Sequence, residues 1–171
     1  LLDELLGFAR LEAGREDVHL KAVDVRDIGR EVAAVVEPLA HDRGLRLTLA
    51  EPEAPLLLRT DPDKVRQILL NLAGNAVKYT KRGDVRVALG GESHHRAELR
   101  VSDTGIGISP NQLQYIFEPF WQADTGQRGR DGGTGLGLSV VRRLVQLLGG
   151  QVSVESVPGA GSTFIVGIPS Q

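Results

Sequence analysis

Gly132-Gly133-Thr134-Gly135-Leu136-Gly137-Leu138-Ser139 leads directly into an apolar run at helical spacing: Leu138, Val141, Leu144, Val145 and Leu148. Glycine lets backbone N–H groups come close to a ligand, and a helix start adds unpaired donors with a partial positive charge. A loop of this kind feeding a helix cradles phosphate groups. Upstream, Asp103-Thr104-Gly105-Ile106-Gly107-Ile108 closes a strand-like segment. Further upstream, Asn71-Leu72-Ala73-Gly74-Asn75-Ala76-Val77-Lys78-Tyr79-Thr80 lies on a predicted helix. Three polar sites in this order, each in apolar surroundings, describe a nucleotide pocket.

The helix predicted from Asp61 to Tyr79 carries the sharpest physical signal. At about 100° per residue, Lys64, Gln67, Asn71, Asn75 and Lys78 share one narrow stripe. Val65, Ile68, Leu69, Leu72 and Ala76 fill a neighbouring face, and Leu70, Ala73 and Val77 make much of the rest apolar. A helix apolar on most sides is buried, so its polar stripe needs partners. A carboxamide oxygen is a hard, neutral ligand for Mg²⁺, and a lysine one turn away meets phosphate charge. On an isolated helix the same stripe reads as a solvated face; the two glycine segments downstream favour a site.

Around these segments the pattern is α+β. Val18–Leu20 reads as a short strand, and Asp24 caps a helix with apolar positions Val25, Ile28, Val32, Val35, Val36 and Leu39. Leu45, Leu47 and Leu49 alternate as in a half-buried strand, and Asp61-Pro62 suits a helix cap and first turn. Val85–Leu89 and Ala97–Val101 flank a hairpin loop over 90–95, and a second hairpin joins Val152–Ser156 to Phe164–Ile168. Strand pairs with helices on one face imply a sandwich. The N-terminal Leu1, Leu2, Leu5, Leu6, Ala9 and Leu11 follow a helical apolar pattern that Gly14 stops.

Bulk properties exclude several classes. A chain of 171 residues buries one core, so one domain plus an appendage is expected. The net charge of −2 offers no electrostatic case for nucleic acid or an anionic membrane. The absence of cysteine removes disulfides and thiolate metal sites and fits a reducing compartment. No apolar run reaches the roughly twenty residues that span a bilayer. With no methionine, even at position 1, and a start inside a helix, the chain reads as part of a longer polypeptide. Gly-x-x-x-x-Gly-Lys-Ser/Thr does not occur, and Gly133–Gly137 lacks dinucleotide spacing. His94-His95 reads as a solvated hairpin tip.

Taken in order, these segments resemble the catalytic, ATP-binding domain of bacterial sensor histidine kinases, in the ATPase group that includes gyrase, Hsp90 and MutL. Asn71–Thr80 resembles the N box, Asp103–Gly107 the first glycine box, Phe117-Glu118-Pro119-Phe120 the F box and Gly133–Gly137 the second glycine box. Gly159-Ala160-Gly161-Ser162-Thr163-Phe164 resembles the closing segment. The matches run from about Val18 to the end. Leu5–Gly14 resembles the end of the second helix of the kinase dimerisation domain, which divides the chain into 1–14 and 15–171; the alternative is an amphipathic helix packing on its own domain.

The resemblance implies a Bergerat-type two-layer sandwich with a mixed, mainly antiparallel sheet, and ATP and Mg²⁺ as ligands. Asn75 would hold Mg²⁺, while Lys78 and Asn71 would contact phosphates as the catalytic pair. Related hydrolysing ATPases carry glutamate at position 71; asparagine is no general base, so ATP should be held without efficient hydrolysis. Asp103 would accept from the adenine amino group beside the Gly105 and Gly107 backbone, with Ile106, Ile108 and Tyr79 as apolar contacts. Thr134, Gly135, Leu136, Gly137, Leu138 and Thr163 complete the implied nucleotide set. The polar segment Gln122–Asp131 would be a mobile ATP lid, with Gln122 where many relatives carry a γ-phosphate-binding arginine and either Arg128 or Arg130 taking that role.

The γ-phosphoryl acceptor would be a histidine on a preceding dimerisation domain. None of His19, His41, His94 and His95 sits on an apolar helix followed by an acidic residue. A response-regulator receiver domain, a homodimeric intact protein, a cytoplasmic location and no nucleic-acid or membrane contact within this stretch complete the implied picture. The alternatives are an ATP-hydrolysing conformational module of the gyrase, Hsp90 or MutL kind and a regulatory nucleotide sensor.

Overall fold

Alternating burial along three neighbouring strands turns one face of a sheet into the floor of the core. The computed structural model describes residues 2–123 and 133–171. In β4 (Asp84–Glu92), β5 (Arg96–Asp103) and β7 (Gly161–Pro169), side chains such as Val87, Leu99 and Val166 are buried while Arg86 and Arg100 face out. β2 (Arg46–Ala50) and β6 (Gln151–Val157) complete a five-stranded sheet in the order β2-β4-β5-β7-β6. Only the β2–β4 ladder is parallel. The expected mixed, mainly antiparallel sheet is therefore the one observed.

Helices α2 (Val25–Asp42), α3 (Pro62–Tyr79) and α5 (Gly137–Leu147) pack on the inward face. The middle one, α3, touches both of its neighbours as well as β4 and β5. Val65, Ile68, Leu69 and Leu72 are each 1% exposed or less. Asp24 and Asp61 cap α2 and α3 by accepting backbone N–H bonds from their first turns, and Pro62 stands in the first turn of α3. A short α4 (Pro110–Leu113) follows β5.

Local expectations shift in three places. The first strand is Lys21–Asp24 (β1), not Val18–Leu20, and pairs with β3 (Leu57–Thr60) in a separate two-stranded sheet. Its register begins at Lys21↔Thr60, because the next residue, Asp61, belongs to the helix cap; the His19 N–H goes to the Asp61 carboxylate at 2.9 Å. The first hairpin ladder runs on to Glu92↔Arg96, so the turn is only Ser93–His95, with both histidines exposed as expected. Val35 and Leu39 are 58% and 53% exposed, since the buried stripe of α2 runs through Ile28, Val32, Val36 and Ala40 instead.

At the N-terminus, α1 (Leu2–Glu12) ends where Gly14 donates to Leu11 O and Arg15 to Arg10 O, the paired bonds of a Schellman motif. The helix leans on α5: the Arg143 guanidinium pairs with Glu12, its Nη2 at 2.9 Å. Phe8 meets Phe120 edge-on with ring centroids 6.3 Å apart. Leu5, Phe8 and Leu11 pack toward the core, whereas Leu2 and Leu6 are exposed. Among the described residues, no helix is long and apolar enough to cross a membrane.

Candidate functional site

Packing α3 between α2 and α5 leaves its polar stripe one way to face, into a cavity of about 460 Å³. Asn71, Asn75 and Lys78 line it, as does Gln67. Lys64, the first member of the stripe, does not: its side chain is 8% exposed, and its ammonium lies 3.3 Å from Asp61 and 3.5 Å from Glu16. That lysine is a structural ion pair at the cap of α3.

The far wall is the chain leaving β5. Asp103, Ile106, Gly107 and Ile108 line the cavity. The Asp103 Oδ1 accepts the Gly105 N–H at 2.9 Å. Burial pushes this carboxyl above the usual carboxylate range, partly opposed by the backbone N–H groups of Gly105 and Ser162. Gly105 itself sits behind the wall, where a Cβ would run into the Tyr79 carbonyl oxygen. Gly107 has φ +69°, and a Cβ there would strike the Val157 carbonyl. Only glycine fits either position, which is the physical content of the paired glycines. The Ile106 N–H donates to Tyr79 O, and Gly159 N–H to Ile106 O, so this loop is pinned between α3 and the β6–β7 turn.

The second glycine segment supplies the remaining wall. Thr134, Gly135, Leu136, Gly137 and Leu138 all line the cavity. Among the described residues, no side chain caps α5; its first internal bond runs from Val140 N–H to Leu136 O. The N–H groups of the first turn have no acceptor within the helix and leave a positive end at the cavity. Asn71 Nδ2 donates to Gly137 O at 3.4 Å, and a Cβ on Gly133 would stand 3.1 Å from the Lys78 ammonium. The F box buttresses this wall, with Phe120 N–H donating to Gly135 O and Phe117 edge-on to Phe164. Gln122 donates its amide to the Gly133 carbonyl.

The cavity therefore gathers Asn71, Asn75, Lys78, Tyr79, Asp103, Gly107 and Ile108 with the second glycine segment. Thr163 is not among them. Its hydroxyl donates to Ser102 at 3.1 Å on the outer face of the sheet, and its neighbours Ser162 and Phe164 face the cavity. Strand alternation is the cause: Ser162 shares a side with Phe164, and period two was the signal that could have found it. Arg128, Arg130 and most of the expected lid lie outside the described residues. Contributors that were not anticipated include Trp121, after the F box, Gln112 and Ile116 nearby, and α1, which brings Asp3, Glu4 and Phe8 to the rim. The Thr134 hydroxyl donates to the Glu4 carboxylate at 2.7 Å. Among the described residues, no group of three or more histidines, cysteines and carboxylates is arranged to hold a metal ion.

Residues 60–171 match the family model described as "Histidine kinase-, DNA gyrase B-, and HSP90-like ATPase". The chain is 38% identical to the sensor protein GacS of Pseudomonas syringae pv. syringae over 98% of its own length and 19% of that protein's. It thus spans about a fifth of this curated relative. Among solved structures, full-length ShkA in complex with AMPPNP superposes with a TM-score of 0.88 at 36% identity, over 99% of this chain and 35% of ShkA. The nucleotide-free catalytic domain of the histidine kinase ThkA superposes at 0.76 and 25% identity, over 89% and 96% of the two chains.

Proposed function

We propose, from the premise that this chain belongs to the histidine kinase-, DNA gyrase B- and HSP90-like ATPase family, that it holds Mg-ATP and donates the γ-phosphoryl group to a histidine on a dimerisation domain of a longer protein. One observation carries this reading: Asp103 and the Asn71–Asn75–Lys78 stripe face a single cavity, and the group at position 71 is an amide. A cavity of this kind binds a nucleotide at both ends but has no carboxylate at position 71 to take a proton from water.

The residues present fit the ligands. Asp103 offers lone pairs to a 6-amino group, which selects adenine over guanine. Lys78 faces Gly133, where the absent Cβ leaves room beside the ammonium, and the uncapped start of α5 adds N–H donors for phosphate oxygens. Asn75 offers a neutral oxygen to Mg²⁺, which when bound neutralises phosphate charge. Phosphoryl transfer of this type depends on positioning and charge neutralisation. Gln122, bonded to Gly133, serves to hold the glycine segment in place of binding phosphate.

α1 is, on this reading, the end of the second helix of the dimerisation domain. Its exposed Leu2 and Leu6 provide an outer apolar face for helix packing, which supports a boundary after residue 14 and a homodimeric parent. A receiver domain is the expected acceptor of the phosphoryl group from that histidine.

Calorimetry tests the base-reading role. ATP is expected to bind more tightly than GTP, and Asp103→Asn to weaken ATP by roughly 10–100-fold, the worth of a hydrogen bond to a charged group. Equal ATP and GTP affinity in the parent removes the role of Asp103. Radiolabel transfer from γ-labelled ATP tests the phosphotransfer role. The chain alone is expected to acquire no acid-labile label on His19, His41, His94 or His95, all exposed and remote from a phosphoacceptor setting. Adding the separately made histidine-bearing dimerisation domain is expected to produce labelled phosphohistidine. Fast ATP turnover without an acceptor supports the ATP-hydrolysing alternative instead.

A further inference from the structure

Behind Asp103, three segments of the cavity wall meet at one hydroxyl. Ser156 Oγ, on β6, accepts the Ile108 N–H at 2.7 Å from the loop after β5. It also lies 3.0 Å from the Gly161 carbonyl oxygen and 2.8 Å from Ser162 Oγ. A serine hydroxyl has one proton and two lone pairs. If that proton went to Ser162, the Gly161 carbonyl would face Ser156 lone pair to lone pair. With the proton on Gly161 O, every contact is satisfied: Ile108 N–H and Ser162 O–H both donate to Ser156, and Ser156 donates to Gly161.

This allocation consumes the Ser162 proton. Ser162 is 7% exposed and lines the cavity beside Asp103, its register partner across the β5–β7 ladder. Its hydroxyl, which could otherwise donate or accept, then turns only lone pairs toward the cavity. The Asp103 carboxylate offers only lone pairs as well. Two adjacent acceptors match the two hydrogens of an exocyclic amino group and oppose a ring carbonyl.

We infer that Ser156 is a specificity-positioning residue: by taking the Ser162 proton it makes that hydroxyl an obligate acceptor, so the site selects a 6-aminopurine nucleotide over a 6-oxopurine one. The inference rests on the reading of Asp103 as the base-recognition group. Without Ser156, the Ser162 hydroxyl is free to turn and donate to a 6-oxo group, and the two purine classes become alike to it.

ATP and inosine triphosphate are the probes, because their purine rings differ at the 6-position and the adjoining N1 proton and at no other substituent. Calorimetry on the full chain should show ATP preferred by the parent. Ser156→Ala should lower the ATP-to-ITP affinity ratio about tenfold, partly through tighter ITP binding, a directional effect of about one hydrogen bond. Ser156→Thr, which retains the hydroxyl, should keep the parent ratio. Ser162→Ala leaves Ser156 its Ile108 and Gly161 partners and removes the acceptor itself, so it should lower the ratio without weakening ITP. An equal loss of both nucleotides in Ser156→Ala and in Ser162→Ala, with the ratio unchanged, marks a purely structural role and overturns the inference while the Asp103 reading stands. A parent that binds ATP and ITP equally overturns both together.

Discussion

Asn75→Ala is expected to lose about a hundredfold in Mg²⁺-dependent ATP affinity, the effect of removing an interaction of about 3 kcal/mol with a charged ligand. The fold should survive. Asn75 lines the cavity one turn from Asn71, and its amide atoms lie 4.0 Å from where a Gly137 Cβ would be, so the side chain serves the cavity and leaves the core intact. Calorimetry with and without Mg²⁺ isolates the effect: affinity in the presence of a chelator should change far less than affinity with the metal. Unchanged circular dichroism and melting temperature complete the test. An unfolded variant would instead mean that the polar stripe holds the helix in place.

Asp61→Ala is the largest expected loss of stability, about 3–5 kcal/mol, because it leaves a buried charge without its nearest partner. That is well beyond the roughly 1 kcal/mol of an ordinary helix cap. The difference lies in what converges on this carboxylate. It accepts from Asp63 and Lys64 N–H in the first turn of α3 and from His19 N–H on the approach to β1, and it holds the Lys64 ammonium at 3.3 Å. Asp61 is 1% exposed, so solvent replaces none of these partners. Urea unfolding measures the cost. Asp61→Asn, which retains an acceptor oxygen and loses the charge, should fall between the parent and the alanine variant.

The same site sets an acid limit. Burial pushes the Asp61 carboxyl up, but the His19 and Lys64 N–H groups and the Lys64 ammonium outweigh it and hold the carboxyl below the usual carboxylate range. Its stabilising contribution is complete above the unfolded-state value of about 4 and is lost as pH falls through the depressed one. In Asp61→Asn the acid side of the stability profile should accordingly be flatter. Asp103 works in the opposite sense: its carboxyl is raised by burial, so without nucleotide its contribution favours the folded state at low pH and fades as pH rises through the raised value.

Much of the site was legible because its signals are periodic or steric. The stripe on α3 follows from helical geometry, and the paired glycines after Asp103 mark places where backbone passes backbone too closely for a Cβ. The second glycine segment announces an uncapped helix start, and the structure has one. Motif membership and position in the site part company at two residues. Thr163 belongs to the closing segment by sequence, yet strand alternation turns it away from the cavity and brings Ser162 in. Lys64 belongs to the stripe by angle, yet it lies at the capped end of α3, where Asp61 and Glu16 claim it.

By itself, the sequence determined the long helices, the two hairpins, the two aspartate caps and the order of the nucleotide segments, because each depends on neighbours within a few residues or on a regular repeat. The mixed, mainly antiparallel sheet was implied by the family resemblance, and β3 and α4 carried no such signal. Tertiary structure alone decided which side of each apolar stripe is covered. Val35 and Leu39 were indistinguishable from core positions until α2 was docked against α3 and β2. It also decided that α1 reaches the rim of the cavity, with Glu4 on Thr134 across 130 residues of chain. The shared role of Ser156, Ile108 and Gly161 was likewise invisible in the chain. A hydroxyl's donor and acceptor partners are set by which backbones fold past it, and no local pattern encodes that encounter.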